Sequence, residues 1–402
     1  MCWRIVFIGL VLVLAALAGC RVSQAPPPKT DMVMVRLEQD QWPDLGDNLD
    51  PASLKQALDQ SRVYLRRLPG TRSFKYGPDT YTAGHLLASL DAFERLYRSL
   101  GPGRVLNHAL AKDFILYKSV GRDGGGEVLC TGYYEPLLSG SLTRSDRFCW
   151  PAYQRPHDLI EVDLGDFSPD LAGKTIKGRL KGRRLVPYYT RREIDRQNAL
   201  ARQGLELVWV DDPVDLFFLH IQGSGRIRLS DGRVMRVGYA GANGRPYRSL
   251  GRRMIELELL GSEKISMQAI RAWLAVHPDQ APDLLDYNES YVFFRRLEGG
   301  PVGNINVPLT PGRSIALDHR IFPKGALAWL QSRKPVVCSG QVAGWQKFSR
   351  FVLVQDTGGA IRGPGRLDLF FGHGQEAETG AGRMKEPGRL FFLVMKNALV
   401  IP

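Results

Sequence analysis

Apolar residues recur at two different spacings along this chain, helical in the first part and alternating in most of the remainder. A first set follows Asp50-Pro51, where a capping carboxylate and a proline at the first helical position predict a helix start. Its members would share one helical face, and they are Leu54, Leu58, Leu65 and Leu68. A second set ends before Gly101-Pro102-Gly103 and comprises Leu86, Leu90, Phe93, Tyr97 and Leu100. Both sets predict amphipathic helices whose apolar faces belong to a core.

Two further helices are expected inside the later, strand-like part of the chain. Thr190 and Glu193 have the spacing of a capping box, which predicts a helix ending near Gly204. Ser266 is placed to start another helix that stops before Pro278.

Short apolar runs broken by glycine and proline dominate from Val128 onward, which is typical of strands and turns. The apolar run 217–221 predicts one such strand, ending in a glycine-rich turn. The last hundred residues or so also predict short strands with little helical periodicity. With 43 glycines in the chain, this part indicates a barrel, so the expected fold is mainly β with flanking helices.

The N-terminus predicts export. Arg4 precedes an apolar run that is short for a membrane span, and small residues follow it, as in a secretory signal peptide over residues 1–19. Leu17-Ala18-Gly19-Cys20 resembles the lipobox of bacterial lipoproteins, in which Cys20 would be lipidated. An ordinary signal peptide with an accidental thiol is the alternative. Arg21, rather than aspartate, favours an outer-membrane anchor facing the periplasm, and residues 20–45 would be a proline-rich tether.

Net charge, cysteine content and residue spacing limit the binding partners, disulfides and metal sites expected for this chain. The formal net charge is +13, and ten Lys or Arg between residues 174 and 202 are accompanied only by Glu193 and Asp195. In an exported protein this excess favours anionic lipids or peptidoglycan carboxylates over nucleic acid, with a solvated basic face as the alternative. A Cys130–Cys149 disulfide is compatible with export and would leave Cys338 unpaired. No metal-ligand spacing is recognisable, so neither a metal nor another cofactor is predicted.

Three carboxylates are candidates for chemistry. Asp356 precedes Thr357-Gly358-Gly359, and Asp368 alternates with Leu367 and Leu369, so that on a strand it would point away from their apolar face. Beside apolar surface its pKa should rise, as a general acid requires. A turn-capping Asp356 and an arginine-paired Asp368 are the alternative. Asp318 stands next to His319-Arg320, where a salt-bridged turn is the simpler interpretation.

Two segments have the composition of sugar sites. Gln222 and Ser224 lie in the turn His220-Ile221-Gln222-Gly223-Ser224-Gly225, and residues 237–247 are rich in amides, aromatics and glycines. Aromatic faces pack on pyranose rings and amides bind their hydroxyls, although ordinary hairpins have similar compositions.

The order of these motifs resembles the membrane-bound lytic murein transglycosylase A family from about residue 50 to about residue 395. The segments that carry the resemblance are 131–136 (Thr-Gly-Tyr-Tyr-Glu-Pro), 220–225, 237–239, 288–294, Asp318, 356–361 and Leu367-Asp368. The resemblance implies a double-psi β-barrel domain, formed by 46–138 and 299–402, interrupted by a second β-rich domain over 139–298, with a glycan groove between them. This chain has Thr357 where the family often has valine.

The resemblance also implies a function and site residues. The chain would cleave the β-1,4 bond between N-acetylmuramic acid and N-acetylglucosamine without water, forming 1,6-anhydromuramic acid during cell-wall turnover. Asp368 would be the acid and base, supported by Asp356. Substrate contacts would come from Thr131, Gly132, Tyr133, Tyr134, Gln222, Ser224 and Asp318. The implied partners are peptidoglycan strands, with membership of a cell-wall synthesis or hydrolysis complex also compatible.

Two other functions fit part of the pattern. Asp356-Thr357-Gly358 is similar to one half of an aspartic peptidase dyad, which would require a symmetric dimer. A non-catalytic wall-binding lipoprotein, in the manner of the related expansins, would use the same groove without turnover.

Overall fold

The N-terminal part of the fold is helical, as predicted. The computed structural model describes residues 32–263 and 265–396, so the predicted signal peptide and Cys20 lie outside the described residues. The first three α-helices are α1 (Pro51–Arg66), α2 (Ala83–Leu100) and α3 (Arg104–Asp113). Asp50 caps α1 by accepting a hydrogen bond from the Ser53 amide at 2.7 Å, and α2 ends at Gly101 with φ +67°. Leu54, Leu58 and Leu65 are buried, which confirms the first predicted apolar face.

Six strands of the largest sheet form a closed barrel. That sheet has eight strands: β1 (Met34–Arg36), β4 (Phe114–Ser119), β5 (Val128–Glu135), β15 (Ser314–Ala316), β16 (Leu327–Cys338), β17 (Gln341–Asp356), β18 (Arg366–His373) and β19 (Lys385–Met395). The ring runs β19-β16-β17-β15-β18-β5 and closes by pairing of β5 with β19, while β4 and β1 extend the sheet from β19. β15–β17 and β18–β5 are parallel, and the other ring pairs are antiparallel. This closed ring confirms the predicted barrel.

A second sheet lies between Leu137 and Leu297 in the chain. Its six strands, in spatial order, are β14 (Val292–Leu297), β13 (Val234–Ala242), β12 (Ser224–Leu229), β6 (Leu137–Ser141), β11 (Glu206–Val210) and β7 (Trp150–Tyr153). Its own core includes Val208, Leu219, Ile227 and Val237. The mainly β fold with a second β-rich part is therefore present. The domain limits 139 and 298 stay predictions.

Smaller elements complete the fold. One small sheet is the hairpin of β2 (Ser73–Tyr76) and β3 (Asp79–Thr82), and the other consists of β8 (Ile160–Asp163), β9 (Thr175–Lys181) and β10 (Arg184–Pro187). The remaining α-helices are α4 (Arg191–Asp195), α5 (Pro213–Gln222), α6 (Leu250–Glu256), α7 (Met267–Val276), α8 (Ala281–Asp286) and α9 (Gln375–Arg383).

Several local predictions were wrong. The run 217–221 belongs to helix α5, because Asp212 caps the start and Pro213 occupies the first turn, while Gly223 in the left-handed region ends the helix. The Thr190/Glu193 capping box is present, but α4 ends at Asp195. The last hundred residues contain helix α9 and two long strands, β16 with 12 residues and β17 with 16. Ser266 does start α7, as predicted.

The N-terminal boundary also needs correction. Residues 34–36, which were assigned to the tether, form β1 and pair with β4, and Leu45 is fully buried. The ordered fold therefore begins before residue 45. Cys130, Cys149 and Cys338 are free thiols. Within residues 32–263 and 265–396, no helix combines the length and apolar character that crossing a bilayer requires.

Candidate active site

Asp356 and Asp368 meet across one short strand. Ala316 on β15 pairs with Asp368 on one side and with Asp356 on the other. Residues paired across neighbouring strands point to the same face, and two strand spacings place the two aspartate Cα atoms roughly 10 Å apart. A bulge in β17 skips Gln355 in the register and brings Asp356 into line. The barrel thus presents both carboxylates on one face.

Asp368 occupies a mostly apolar strand, as predicted. Leu367 and Leu369 are buried in the barrel core, so Asp368 lies on the opposite face, where its side chain is 18% exposed. Thr131, its register partner on β5, donates a hydrogen bond to Oδ1 of Asp368, and Arg366 Nε lies 3.5 Å from the same oxygen. Burial raises the pKa of Asp368, and the positive charge of Arg366 and the Thr131 hydroxyl only partly oppose it. The group therefore holds a proton to higher pH than an ordinary aspartate.

Asp356 is the second perturbed acid. Burial raises its pKa to about 6, although the amides of Thr357 and Asn304 each donate to Oδ1 at 2.9 Å and so lower it. The charge of Asp368 adds to the rise. Asp356 is therefore held by backbone on one oxygen and is sensitive to the ionisation of its neighbour.

Aromatic side chains enclose the two acids. Tyr133 approaches Asp356 without a well-aligned hydrogen bond, and its ring packs on Phe370 with centroids 5.1 Å apart. Burial, and then the charge of Asp356, raises the Tyr133 pKa well above its usual value. Tyr247, from the segment after β13, is half-buried, and its pKa is raised by burial and affected by Arg366 and Asp368. Residues from the barrel and from the second sheet's segment thus converge here.

Asp318 is a structural anchor beside the site. Its side chain is 1% exposed and forms a two-pronged ion pair with Arg320, at 2.6 and 2.8 Å, while the Gly363 amide donates at 2.9 Å. Burial alone would raise its pKa, but the hydrogen bonds from Arg320 and Gly363 have the larger combined effect and lower the pKa to about 2. Asp318 therefore holds the turn between β17 and β18 in place, and a sugar contact by this carboxylate stays a prediction.

The predicted substrate residues differ in exposure. Thr131 and Tyr133 adjoin the carboxylates, and Gln222 is held by the Tyr134 amide, which donates to its Oε1 at 3.1 Å. Tyr134 itself is 2% exposed and packs against Ala377 and Ala381 of α9. Ser224 is 8% exposed at the start of β12.

Gly132 serves packing. A Cβ at this position would lie 2.8 Å from the Ala381 Cα atom and equally close to the Phe371 ring. Direct contact of Gly132, Tyr134 and Ser224 with a glycan stays a prediction.

Three groups at the site were missed from the sequence. Neither Arg366 nor Tyr247 was named individually, and the Asn304 contribution is a backbone amide. Two signals were present: Arg366 precedes Asp368 by two residues and so shares its strand face, and Tyr247 ends the aromatic-rich segment 237–247.

The geometry supports acid–base chemistry by one carboxylate. Asp368 is partly accessible, prone to protonation and hydrogen-bonded to a hydroxyl. Asp356 is placed to tune it electrostatically. Among the described residues, no group of three or more His, Cys, Asp or Glu is arranged to hold a metal ion.

Comparisons with known proteins agree with the fold. A family model described as "MltA specific insert domain" matches residues 129–295, and one described as "3D domain" matches residues 313–394. Membrane-bound lytic murein transglycosylase A of Vibrio cholerae is 33% identical over 282 residues, which cover 69% of this chain and 68% of the relative.

Solved structures are similar over most of the chain. A membrane-bound lytic murein transglycosylase from Agrobacterium tumefaciens is 30% identical with a TM-score of 0.73, covering 90% of this chain and 97% of that one. Escherichia coli MltA with bound chitohexaose is 26% identical with a TM-score of 0.69, covering 92% and 96%. The family models, the sequence identity and the structural similarity agree, and the chain belongs to the membrane-bound lytic murein transglycosylase A family.

Proposed function

We propose that this protein is a peptidoglycan lytic transglycosylase in which Asp368 acts first as acid and then as base. The observation that carries this role is the position of Asp368. Its carboxylate is partly exposed, has a raised pKa, and lies on the strand face that points away from the barrel core. The family relatives bear the same activity in their names.

The first step breaks the glycosidic bond. Protonated Asp368 donates its proton to the β-1,4 oxygen between N-acetylmuramic acid and N-acetylglucosamine, so that the glucosamine leaves with a 4-hydroxyl. Positive charge develops at C1 of the muramic residue. Arg366 and Thr131 then stabilise the carboxylate that remains, through its Oδ1 atom.

The second step closes a ring. The Asp368 carboxylate removes the proton of the muramic C6 hydroxyl, whose oxygen attacks C1 of the same sugar. The product is 1,6-anhydromuramic acid, water is not consumed, and Asp368 is protonated again. One carboxylate suffices because the attacking hydroxyl belongs to the substrate and is present at a high effective concentration.

Asp356 supports this cycle electrostatically. With a pKa of about 6, it responds to the charge on Asp368, and its ionised form favours a protonated Asp368. It is held by the Asn304 and Thr357 amides, so it keeps its place while Asp368 changes charge.

The glycan would lie between the barrel and the inserted domain over 139–298. Thr131, Gly132, Tyr133, Tyr134, Gln222, Ser224 and Asp318 would contribute to this groove, directly or by shaping it. Support comes from Tyr247 of the inserted part, which lies near enough to Asp368 for that charge to raise its pKa. Further support comes from the E. coli structure, whose bound ligand is chitohexaose.

The chain is associated with a membrane through its N-terminus in this proposal. The relatives are named as membrane-bound, and Leu17-Ala18-Gly19-Cys20 supplies a lipidation motif. Lipidated Cys20 would anchor the enzyme in the outer membrane, where it would face the periplasm and have access to cell-wall enzymes.

Mass spectrometry of fragments released from purified peptidoglycan tests the reaction. A chain lacking residues 1–20 retains the whole compact unit that begins at Met32. We expect muropeptide ends lighter by one water than reducing ends. Ordinary reducing ends would indicate a hydrolase, and absence of released fragments would indicate a wall-binding protein; either result contradicts the proposal.

A further inference from the structure

The small sheet β8–β10 has an apolar face that points to solvent. In the antiparallel register, Leu180 pairs with Leu185, Ile176 with Val162, and Gly178 with both Ile160 and Pro187. Paired residues share a face, so all of these side chains lie on one side of the sheet. Leu180 is 61% exposed, Ile176 44% and Leu185 39%.

The opposite, polar face of this sheet packs on the protein. Lys177 forms an ion pair with Glu161 at 3.1 Å and lies close to Gly244, and the Arg179 guanidinium stacks 4.0 Å from the Tyr189 ring centre. The usual arrangement, with apolar residues inward and polar residues outward, is therefore reversed here. Since the polar face is anchored, the apolar face stays outward and available to a partner.

The charges around this face are segregated. The tip of the β9–β10 hairpin consists of Lys181-Gly182-Arg183-Arg184, and all four residues are exposed. No acidic residue occurs between Asp170 and Glu193. Most acids of the region lie in β8 and in the connection that carries Asp166, Asp170 and the 77% exposed Phe167. The remaining one, Asp158, precedes β8 and accepts a hydrogen bond from the Tyr188 hydroxyl at 2.7 Å. Leu180 and Leu185 thus lie directly beside a cluster of three cations.

We propose that the β9–β10 hairpin is a docking surface for an anionic phospholipid membrane, with Leu180 and Leu185 entering the headgroup region and Lys181, Arg183 and Arg184 contacting phosphates. Exposed aliphatic side chains flanked by Lys and Arg suit such a surface, where apolar burial and attraction to anionic lipid act together. A second copy of the chain is the less suitable occupant, because pairing these hairpin tips would bring like charges together.

The docking surface would complement an N-terminal anchor. A single lipid anchor on a chain segment holds a protein near a membrane without orienting it. A second contact at the hairpin would set the orientation of the active-site groove relative to the membrane. The inference depends on neither the catalytic assignment nor the lipidation of Cys20.

Vesicle co-sedimentation tests the docking surface directly. The chain lacking residues 1–20 is mixed with vesicles of phosphatidylglycerol and phosphatidylcholine, or of phosphatidylcholine alone. We expect binding to the anionic vesicles only, weakened by 0.5 M salt. Leu180→Glu should weaken it about tenfold or more. Arg183→Ser with Arg184→Ser should weaken it about twenty-five-fold, since each of the two cations near an anionic leaflet strengthens binding about fivefold.

Matched controls separate this surface from general charge effects. Val105→Glu changes a 65% exposed apolar residue on α3, and Lys75→Ser with Arg98→Ser removes two exposed cations elsewhere. These variants should bind as the parent does, and all variants should retain the parent circular dichroism spectrum and glycan cleavage. Equal binding by Leu180→Glu, or no binding by the parent, would overturn the proposal. So would sedimentation as a dimer that Leu180→Glu dissociates.

Discussion

Asp368 combines two opposing influences at the scale of a single residue. Burial raises its pKa, while Arg366 and Thr131 stabilise its ionised form. An acid that must release and recover a proton in one cycle needs both, because a fully unopposed rise would leave a weak acid that is slow to donate. The positive charge of Arg366 therefore limits the free-energy difference between the protonated and the ionised form of Asp368.

Asp368→Asn should abolish catalysis and preserve the fold. The amide keeps the shape of the side chain but neither donates nor removes a proton, so we expect activity to fall at least about a thousandfold. Fragment release from peptidoglycan and thermal unfolding would measure the two effects. Asp279→Asn, at an exposed position, is the matched control. Near-normal turnover by Asp368→Asn would assign the acid elsewhere.

Asp356→Asn should change how stability depends on pH. The Asp356 pKa is about 6 in the fold and near 3.8 in an unfolded chain, so the folded state binds the extra proton between these values. Its stabilising contribution is complete below about pH 4 and is lost as pH rises through 6. The variant has no such carboxylate to ionise. Its free energy of unfolding, compared with that of the parent, should therefore rise by about 3 kcal/mol from pH 4 to pH 7. Urea unfolding at both pH values would measure this, and a difference independent of pH would contradict it.

At the scale of elements, the site depends on where strands meet. Asp356 ends β17 and Asp368 lies in β18, and only the short strand β15 separates them. The bulge in β17 and the Asp318 anchor on Gly363 position the connection between the two strands. Neighbouring strands are rigidly spaced, so the carboxylates keep their separation better than side chains on loops would.

Gly132→Ala should destabilise the contact between β5 and α9. The added methyl group would meet the Ala381 backbone and the Phe371 ring at about 2.8 Å, so one element must shift. We expect a loss of about 1–3 kcal/mol in the free energy of unfolding, as for other overpacked sites. Gly344→Ala on β17 is the control, since no atom lies within 4 Å of its added Cβ. Equal stability of the two variants would show that α9 moves freely.

At the scale of the whole molecule, the N-terminal segment is joined to the barrel by a buried cation. Arg313 and Asp47 are both 0% exposed and form a pair with N–O distances of 2.7 and 3.0 Å. The same guanidinium donates to the Asp50 and Phe351 carbonyls and to the Ser53 hydroxyl. Residues far apart in the chain are therefore held by one side chain.

Asp47→Ala should lower the free energy of unfolding by about 3–5 kcal/mol, because it leaves the buried Arg313 charge uncompensated. Denaturant unfolding with circular dichroism would measure the loss. Lys55→Ala, which breaks an ion pair whose side chains are 60% and 44% exposed, should have a far smaller effect. If both variants lost similar stability, the Arg313 carbonyl contacts alone would hold the segment.

Local patterns predicted some elements well and others poorly. The caps at Asp50 and Ser266 were correct because capping depends on adjacent backbone amides. The apolar run 217–221 was assigned wrongly because every side chain from Leu216 to His220 is buried, which removes the amphipathic signal of a helix. The boundary at residue 45 was wrong because β1 is defined by its pairing with β4, a contact over many residues of sequence.

The sequence by itself determined the helical faces and the mainly β class with a barrel, because residue type and short-range spacing carry that information. The export signal and the catalytic role of Asp368 stay predictions. Tertiary structure alone decided that Asp356 and Asp368 flank Ala316, that Arg366 and Tyr247 adjoin them, and that Asp318 is held by Arg320 and Gly363. Register, burial and pKa arise from strands and segments distant in sequence, so they exist only once the barrel closes.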